Sequence, residues 1–517
     1  MSAQKRSSSC LGDLTIIVAL PSGRTTEVSV SQSATVADLR ATAVRALQLG
    51  AVRIISADGT VLDPTLPIDR AGLQSGDTVT AVALPPAKLA ATYGAFAFWS
   101  SGTSTNLTAW GDRECGGNLR RVKNSLVDVQ EVQSSSSAFA AILANGKVVA
   151  WGDFEGGGEM TQGVKRKLQN VQHLQSTHSA FAAILEDGSV VTWGDKRAGG
   201  NSSSVKKRLK NVQQIQATEW AFAAIISDGS VVTWGDRRDG GNSSKVQRQL
   251  KDVRQIQSTE AAFCAIRNDG SVVAWGLADY GGDISKAQDK LKNVQHVQST
   301  ELAFAAILAD GSVVAWGHRE YGGDCAAVQD QLVRVKHIQG SAYAFAAILE
   351  SGRVVTWGHP GYGGDSSSVN DLLSDVTHPV THVQASERAF AAIRTDGQVV
   401  AWGHAEYGGD ASGVQNQLQN VQHIAASKGA FAGIRSDGKV VTWGGSGYGG
   451  DSSKVQDRLR DVTQIKASDC GFTAIVPDAE PVTWGVTDGD GIFSDFDSQI
   501  GESEESGENY ESEFDDR

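Results

Sequence analysis

Methionine is nearly missing from this chain: Met1 and Met160 are the only two among 517 residues. Cysteine is almost as scarce. The five present (Cys10, Cys115, Cys264, Cys325, Cys470) are odd in number, widely scattered and free of any C-x-x-C pair, a pattern that argues against a disulfide framework or a thiolate zinc site. No apolar run approaches the 18 residues of a membrane span, and the N-terminal MSAQKRSSSC has no apolar signal core, so a cytoplasmic or nuclear setting with no membrane contact is expected. Nucleophile elbow, H-E-x-x-H and P-loop patterns are all missing, so no catalytic residue, metal or cofactor is expected. A single G-x-G-x-x-G (Gly445, Gly447, Gly450) sits between a strand and a helical stretch, but the same loop elsewhere reads GHREYGGD, which marks it as drift in one copy of a repeat.

What the chain has in excess is glycine, 58 residues, well above the usual ~7% and a sign of many tight turns. The net charge of −13 is mostly local: residues 488–517 hold twelve Asp and Glu against Arg517, leaving −2 for the rest. That segment and residues 1–12 are expected to be disordered flanks.

Between them, two different patterns follow one another. LTIIVAL (14–20) and TTEVSVS (25–31) alternate around a PSGR turn as strands of a hairpin do. Thr35 can cap a helix over TVADLRATAVRAL. VRIIS, an Asp58-Gly59 turn, Leu62 and SGDTVTAVAL complete the order β-β-α-β-β-β.

From residue 86 to 487 the chain repeats itself. Trp-Gly pairs fall at 110, 151, 193, 234, 275, 316, 357, 402, 443 and 484, a period of 41 or 42 with one 45 at the DVTHPVTHV insertion. A phenylalanine precedes nine of the tryptophans by twelve residues, as in Phe139 and Trp151, Phe181 and Trp193, Phe222 and Trp234, and Phe304 and Trp316. Fixed periods of this length mean an array of stacked units. Each unit reads as three strands (NVQHVQST, AFAAIL and SVVAWG) with an Asp-Gly turn between the last two. Both faces of AFAAIL are apolar: Phe304, Ala306 and Leu308 on one, Ala303, Ala305 and Ile307 on the other. It therefore belongs inside a stack. Val and Leu at i, i+4 after the Gly-Gly (Val328 and Leu332, Val369 and Leu373) predict a short capped helix of about two turns. The expected fold is mainly β: ten ~41-residue units in a propeller-like body after a small α+β domain. A ten-unit ring and an open superhelix both satisfy the pattern; the apolar first and last units, which lack polar caps, favour closure.

The order of elements over 13–85, with AGLQSGDTVTAV near its end, resembles the ubiquitin-like β-grasp fold. The resemblance implies an apolar docking patch at Pro21, Ile55 and Val82, read by ubiquitin receptors, proteasome subunits or ligase components. The domain runs on through Pro85 and Pro86 without the diglycine that conjugation needs. The motif A-F-A-A-I-x-x-D-G-x-V-V-x-W-G-x-x-x-x-G-G resembles the repeat of the regulator of chromosome condensation family, found also in HERC-type ubiquitin ligases. That family forms β-propellers, usually of seven longer units. A plant UV-B photoreceptor shares the repeat and senses light through clustered tryptophans. Here ten of the twelve tryptophans hold one structural slot and only Trp99 and Trp220 lie outside it, so the repeated Phe and Trp are expected to be core.

Charge varies where the core does not. The segments after the Gly-Gly in units 1–4 carry Arg120, Arg121, Lys123, Lys165, Arg166, Lys167, Lys206, Lys207, Arg208, Lys210, Lys245, Arg248 and Lys251 against Asp128, Glu159 and Asp252. If these segments share a rim, half of that rim would attract anions. His318, His359 and His404 share one register after the tryptophan, without the spacing of a metal site.

These features point to a non-enzymatic scaffold that joins a ubiquitin-like module to a repeat surface for a second protein. Two alternatives arise from the repeat resemblance: a chromatin-associated factor or small-GTPase exchange factor, for which no unit carries a wedge insertion, and the substrate-binding part of a HERC-type ligase, for which no thioester domain or RING ladder is present.

Overall fold

Alternation in the first two segments yields a hairpin: β1 (Asp13–Ala19) pairs antiparallel with β2 (Thr25–Ser31). Helix α1 (Val36–Leu47) starts where Thr35 closes a reciprocal cap with Asp38: the Asp38 N–H donates to Thr35 Oγ1 at 3.3 Å and the Thr35 N–H donates to Asp38 Oδ2 at 2.8 Å. Each partner satisfies a donor that the first turn would otherwise leave unpaired. β3 (Val52–Ile55) and β4 (Thr78–Ala83) complete a sheet of order β2-β1-β4-β3, with β1 and β4 parallel. The further strand expected at Leu62 is a single bridge, Ile55 to Val61, because only a few residues follow the turn before the chain leaves the sheet edge. Ile16, Val18, Val28, Leu39, Val52, Ile54 and Val79 form the core beneath α1.

This computed structural model describes residues 13–485 apart from 32–33, 48–51, 64–65, 84–86, 101–106, 477–478 and 480. The flanks 1–12, with Cys10, and 488–517 lie outside the described residues.

After the β-grasp sheet come ten three-stranded antiparallel sheets, one per repeat, each ordered inner, middle, outer. The middle strand of the sixth, Ala303–Leu308, is buried along nearly its whole length. Its Ala303, Ala305 and Ile307 pack on Phe345, Ala347 and Leu349 of the seventh sheet, while Phe304 and Ala306 pack on Ala262, Cys264 and Ile266 of the fifth. The two apolar faces thus meet two neighbours. Phe304 lies opposite Trp316 in register, their rings stacked at 5.3 Å, and the pairs Phe139–Trp151, Phe181–Trp193 and Phe222–Trp234 repeat this at 5.1–5.2 Å.

Trp316 also ties sheets together: its Nε1–H donates to the carbonyl of Gly281 in the preceding unit at 3.0 Å. Gly281 has φ +89°, and a Cβ there would sit 2.6 Å from the Phe304 ring. Both constraints require glycine. The Asp-Gly turn serves twice as well. Asp310 accepts from the Ser312 N–H at 2.9 Å, and the carbonyl of Gly311 accepts from Val335 N–H at the start of the next unit, 2.8 Å.

The array closes. The inner strand Gln464–Ser468 of the tenth sheet lies beside the inner strand Ala87–Ala91 of the first, and Trp110 Nε1–H donates to Thr483 Oγ1 at 2.9 Å across that seam. The body is a ten-bladed closed ring.

The segments after each Gly-Gly form the short helix of about two turns in some blades and only turns in others. Blade 2 has an α-helix, Gln162–Lys167, capped by Thr161; blade 7 runs from a 3₁₀ turn, Ser367–Val369, into an α-helical turn, Asn370–Leu373; blades 6, 8 and 9 have six-residue 3₁₀ helices, and blades 3 to 5 only hydrogen-bonded turns. The leucine of each pair (Leu209, Leu250, Leu332, Leu418) is buried at 0–2% exposure, and two residues later the chain reverses through a left-handed residue such as Asn211, Asp252 or Asn420. About six residues allow only one or two i→i+3 bonds, which suits the tighter helix.

Candidate functional site

The turn between inner and middle strands places one residue from every blade around an open mouth at the centre of one face of the ring. In chain order these are Tyr93, Ser136, His178, Glu219, Glu260, Glu301, Ala342, Glu387, Lys428 and Asp469. Their backbones form a belt: the N–H of each donates to the carbonyl of the next, from Tyr93 to Ser136 at 2.8 Å through to Lys428 and Asp469 at 3.0 Å. The preceding Thr or Ser fixes each turn. Thr300 Oγ1 accepts from the Ala303 N–H and donates to the Tyr321 carbonyl at 2.9 Å, joining the mouth turn to the loop after the tryptophan. The mouth opens on a space of about 1280 Å³.

Five of the ten residues are acidic. Glu387 is paired, with Arg388 Nε at 3.0 Å and Lys428 Nζ at 3.3 Å. Among the described residues Glu219, Glu260 and Glu301 form no ion pair. Burial, then the charges of Glu301, Glu219 and Glu387, push Glu260 up to about 7, and burial with the Glu387 charge raises Glu301. Like charges held together in a half-buried setting disfavour ionisation.

An aromatic wall stands on one side of the mouth. Tyr343 packs against Tyr321 and Tyr362 at 4.7 and 4.9 Å. The Arg388 guanidinium lies 4.6–5.6 Å from the rings of Tyr407, Tyr362 and Tyr343, a cation–π stack. Trp220, one of the two tryptophans outside the repeat slot, stacks on His178 at 5.4 Å; the other, Trp99, is core at 4% exposure. His318, His359 and His404 fall in consecutive blades, each beside its own tyrosine (Tyr321, Tyr362, Tyr407). In blades 2 to 4 the same register holds Asp153, Asp195 and Asp236, whose carboxylates accept backbone N–H groups of the loop. The histidines hold the same position without the bond: none caps its loop, and each Nδ1 is buried with no hydrogen-bond partner among the described residues. Among the described residues no group of three or more His, Cys, Asp or Glu converges as a metal cage. The thiols of Cys115 and Cys470 are raised to about 11, mainly by burial, which leaves them protonated and poorly nucleophilic.

The thirteen cations of units 1 to 4 lie together at one register of consecutive blades, on the outer rim. Every one is exposed, and none forms an ion pair with another described residue. Neighbouring rim turns are within side-chain reach of each other: Arg208 Nη2 of blade 3 donates to Gln247 Oε1 of blade 4 at 3.1 Å.

In the β-grasp domain Ile55 pairs with Thr80 and Arg53 with Val82. Ile54 and Ala81 point into the core, so Ile55 and Val82 share the opposite sheet face, both half-buried; Ile17 joins them, and Pro21 lies exposed in the β1–β2 turn. The helix side of the domain meets the ring. Arg40 of α1, 5% exposed, pairs with Asp461 at the junction of blades 9 and 10, 3.6 Å away. Among the described residues no helix is long and apolar enough to cross a membrane.

The acidic mouth escaped the sequence reading. A signal was there: Glu219, Glu260 and Glu301 recur at the repeat period, each two residues before the Ala-Phe of its middle strand. Their convergence depends on ring closure, which periodicity leaves open.

No family model matches this chain, and no curated protein does. Among solved structures, Prp20p from Saccharomyces cerevisiae aligns over 53% of this chain and 82% of its own at 15% identity, with a TM-score of 0.32. Human WBSCR16 aligns over 68% and 88% at 16% identity, TM-score 0.29. A ubiquitin from Caldiarchaeum subterraneum aligns over 14% of this chain and 94% of its own at 22% identity, TM-score 0.13. At these identities and scores the likenesses bear on neither partner nor activity.

Proposed function

We propose that the protein is a non-enzymatic interaction scaffold in ubiquitin-related protein handling, in which the β-grasp domain is the docking module and the ring carries a second protein. The observation that carries this reading is the orientation of the domain: α1 faces the ring through Arg40 and Asp461, whereas Ile17, Ile55 and Val82 lie on the sheet face opposite the helix. A half-buried apolar sheet face rimmed by polar residues is the kind of surface that small partner elements cover. The ring supports the same reading by offering a broad frame with charges that its fold does not require.

The test uses the full chain and purified proteasome. Immobilised wild-type protein should retain proteasomes, and Ile55→Ala with Val82→Ala should reduce retention about tenfold, the loss of a small interface anchor pair, at unchanged thermal stability. Equal retention by wild type and double variant, or none by either, would remove the ubiquitin-related role.

A further inference from the structure

The outer rim of blades 1 to 4 is a surface whose chemistry exceeds what the fold asks of it, and we infer that it docks an acidic, unstructured polypeptide. This inference is independent of the β-grasp patch.

The turns that make the rim differ in charge: those of blades 5 and 9 balance three cations with two and three aspartates, and the extremes lie on either side of them. Blades 1 to 4 place thirteen Lys and Arg on it, blade 3 alone contributing Lys206, Lys207, Arg208 and Lys210. The corresponding segments of blades 7 and 8, DSSSVNDLLSD (365–375) and DASGVQNQLQN (410–420), contain none. Both extremes bury the same leucine, Leu209 at 2% and Leu418 at 0%. Blades 3 and 8 also leave the turn through the same left-handed asparagine, Asn211 at φ 53° and Asn420 at φ 56°. Packing therefore does not select the cations, apart from Arg208, whose Nη2 donates to the Val231 carbonyl and Gln247 Oε1 of blade 4. Nor does local charge balance, since they are exposed and form no ion pair with another described residue. Four consecutive blades repeat the excess, so the positive potential runs as a continuous arc along the circumference.

The shape of the arc and the side chains beside it choose among polyanions. The arc is convex, following the outside of a closed ring. Duplex DNA, with a persistence length of about 150 base pairs, resists following so small a curve. Single-stranded nucleic acid is held chiefly by stacking its bases on successive aromatic side chains; segments 118–128, 159–170, 201–211 and 242–252 contain no Phe, Tyr or Trp, and the one exposed ring next to them, Phe154 at 69%, stands alone in the loop before the blade 2 segment. A flexible chain of carboxylates needs neither a straight track nor a stacking platform. It also finds an apolar contact on the way at Val127, 43% exposed beside the blade 1 cations.

The experiment measures fluorescence anisotropy of a labelled glutamate-rich peptide of about 20 residues, with a single-stranded oligonucleotide and a duplex of matched charge as parallel arms, at about 50 and 200 mM salt. The full chain should bind the peptide more tightly than either nucleic acid, and less tightly at the higher salt. Lys206→Glu with Lys207→Glu and Lys210→Glu should weaken peptide binding at least about tenfold, because three exposed cations become repulsive. Ser412→Glu with Gln417→Glu on the rim of blade 8 should leave it unchanged. Tighter binding of either nucleic acid, equal loss from the blade 8 variant, or no effect of the blade 3 reversal overturns the assignment.

Discussion

Single residues in this protein divide into those that every blade needs and those that only one region carries. Trp316 belongs to the first kind. Its ring covers Phe304 and its Nε1–H satisfies the Gly281 carbonyl of the blade before, so a recurring tryptophan is explained by packing and one inter-blade bond, without photochemistry. Glu260 belongs to the second. Its carboxyl is raised to about 7 by burial and by Glu301, Glu219 and Glu387, against about 4.3 in an unfolded chain. Between those values the native state holds more proton than the unfolded state, so this group lowers stability as pH rises through the window. Glu260→Gln should therefore stabilise the protein by about 1 kcal/mol at pH 8, after discounting for solvent screening at the open mouth, and by nothing at pH 4. Urea midpoints at the two pH values check this; an equal gain at both would mean the effect is not electrostatic.

At the scale of elements, the three-stranded blade was legible from AFAAIL and its two apolar faces, because the alternation of small and large residues encodes which neighbour each face meets. The rim helix was legible only in part. Val328 and Leu332 sit at helical spacing, but the buried leucine and the left-handed Arg334 that follows confine the segment to a 3₁₀ helix. The extra β-grasp strand was likewise over-read at Leu62. The seam between blades 10 and 1 depends on a side-chain acceptor: Trp110 donates to Thr483 Oγ1, where every other blade donates to a glycine carbonyl. Thr483→Val should cost about 1–2 kcal/mol by leaving that donor unpaired. Hydrogen exchange should quicken in blades 1 and 10 while blades 4 to 6 stay protected. Uniform acceleration around the ring would show that the seam is not a distinct weak point.

At the scale of the whole molecule, one ion pair helps to set where the β-grasp domain rests. Asp461 holds a left-handed position that four other units fill with asparagine, Asn170, Asn211, Asn293 and Asn420. Asp461→Asn therefore keeps the backbone conformation and removes only the charge that meets Arg40. We expect the ring to retain its unfolding midpoint. The amides of α1 should exchange faster, and the scattering radius should increase as the domain moves off the ring. No change in α1 exchange would mean that other contacts suffice to hold the domain. The same docking places Ile55 and Val82 on the side away from the helix, and the closed ring brings Glu219, Glu260 and Glu301 to one mouth.

By itself the sequence determined the unit and its count, since Phe-Trp pairing, the Asp-Gly turn and the double apolar face are local or nearest-neighbour requirements that a period displays directly. It also displayed the rim cations, because neighbouring blades carry them at one register. Tertiary structure alone decided that ten units close into a ring, that carboxylates 41 residues apart share one opening, and that Arg40 meets Asp461. Closure is the sum of small rotations between blades, fixed by packing around the whole circumference, and no single repeat records that sum.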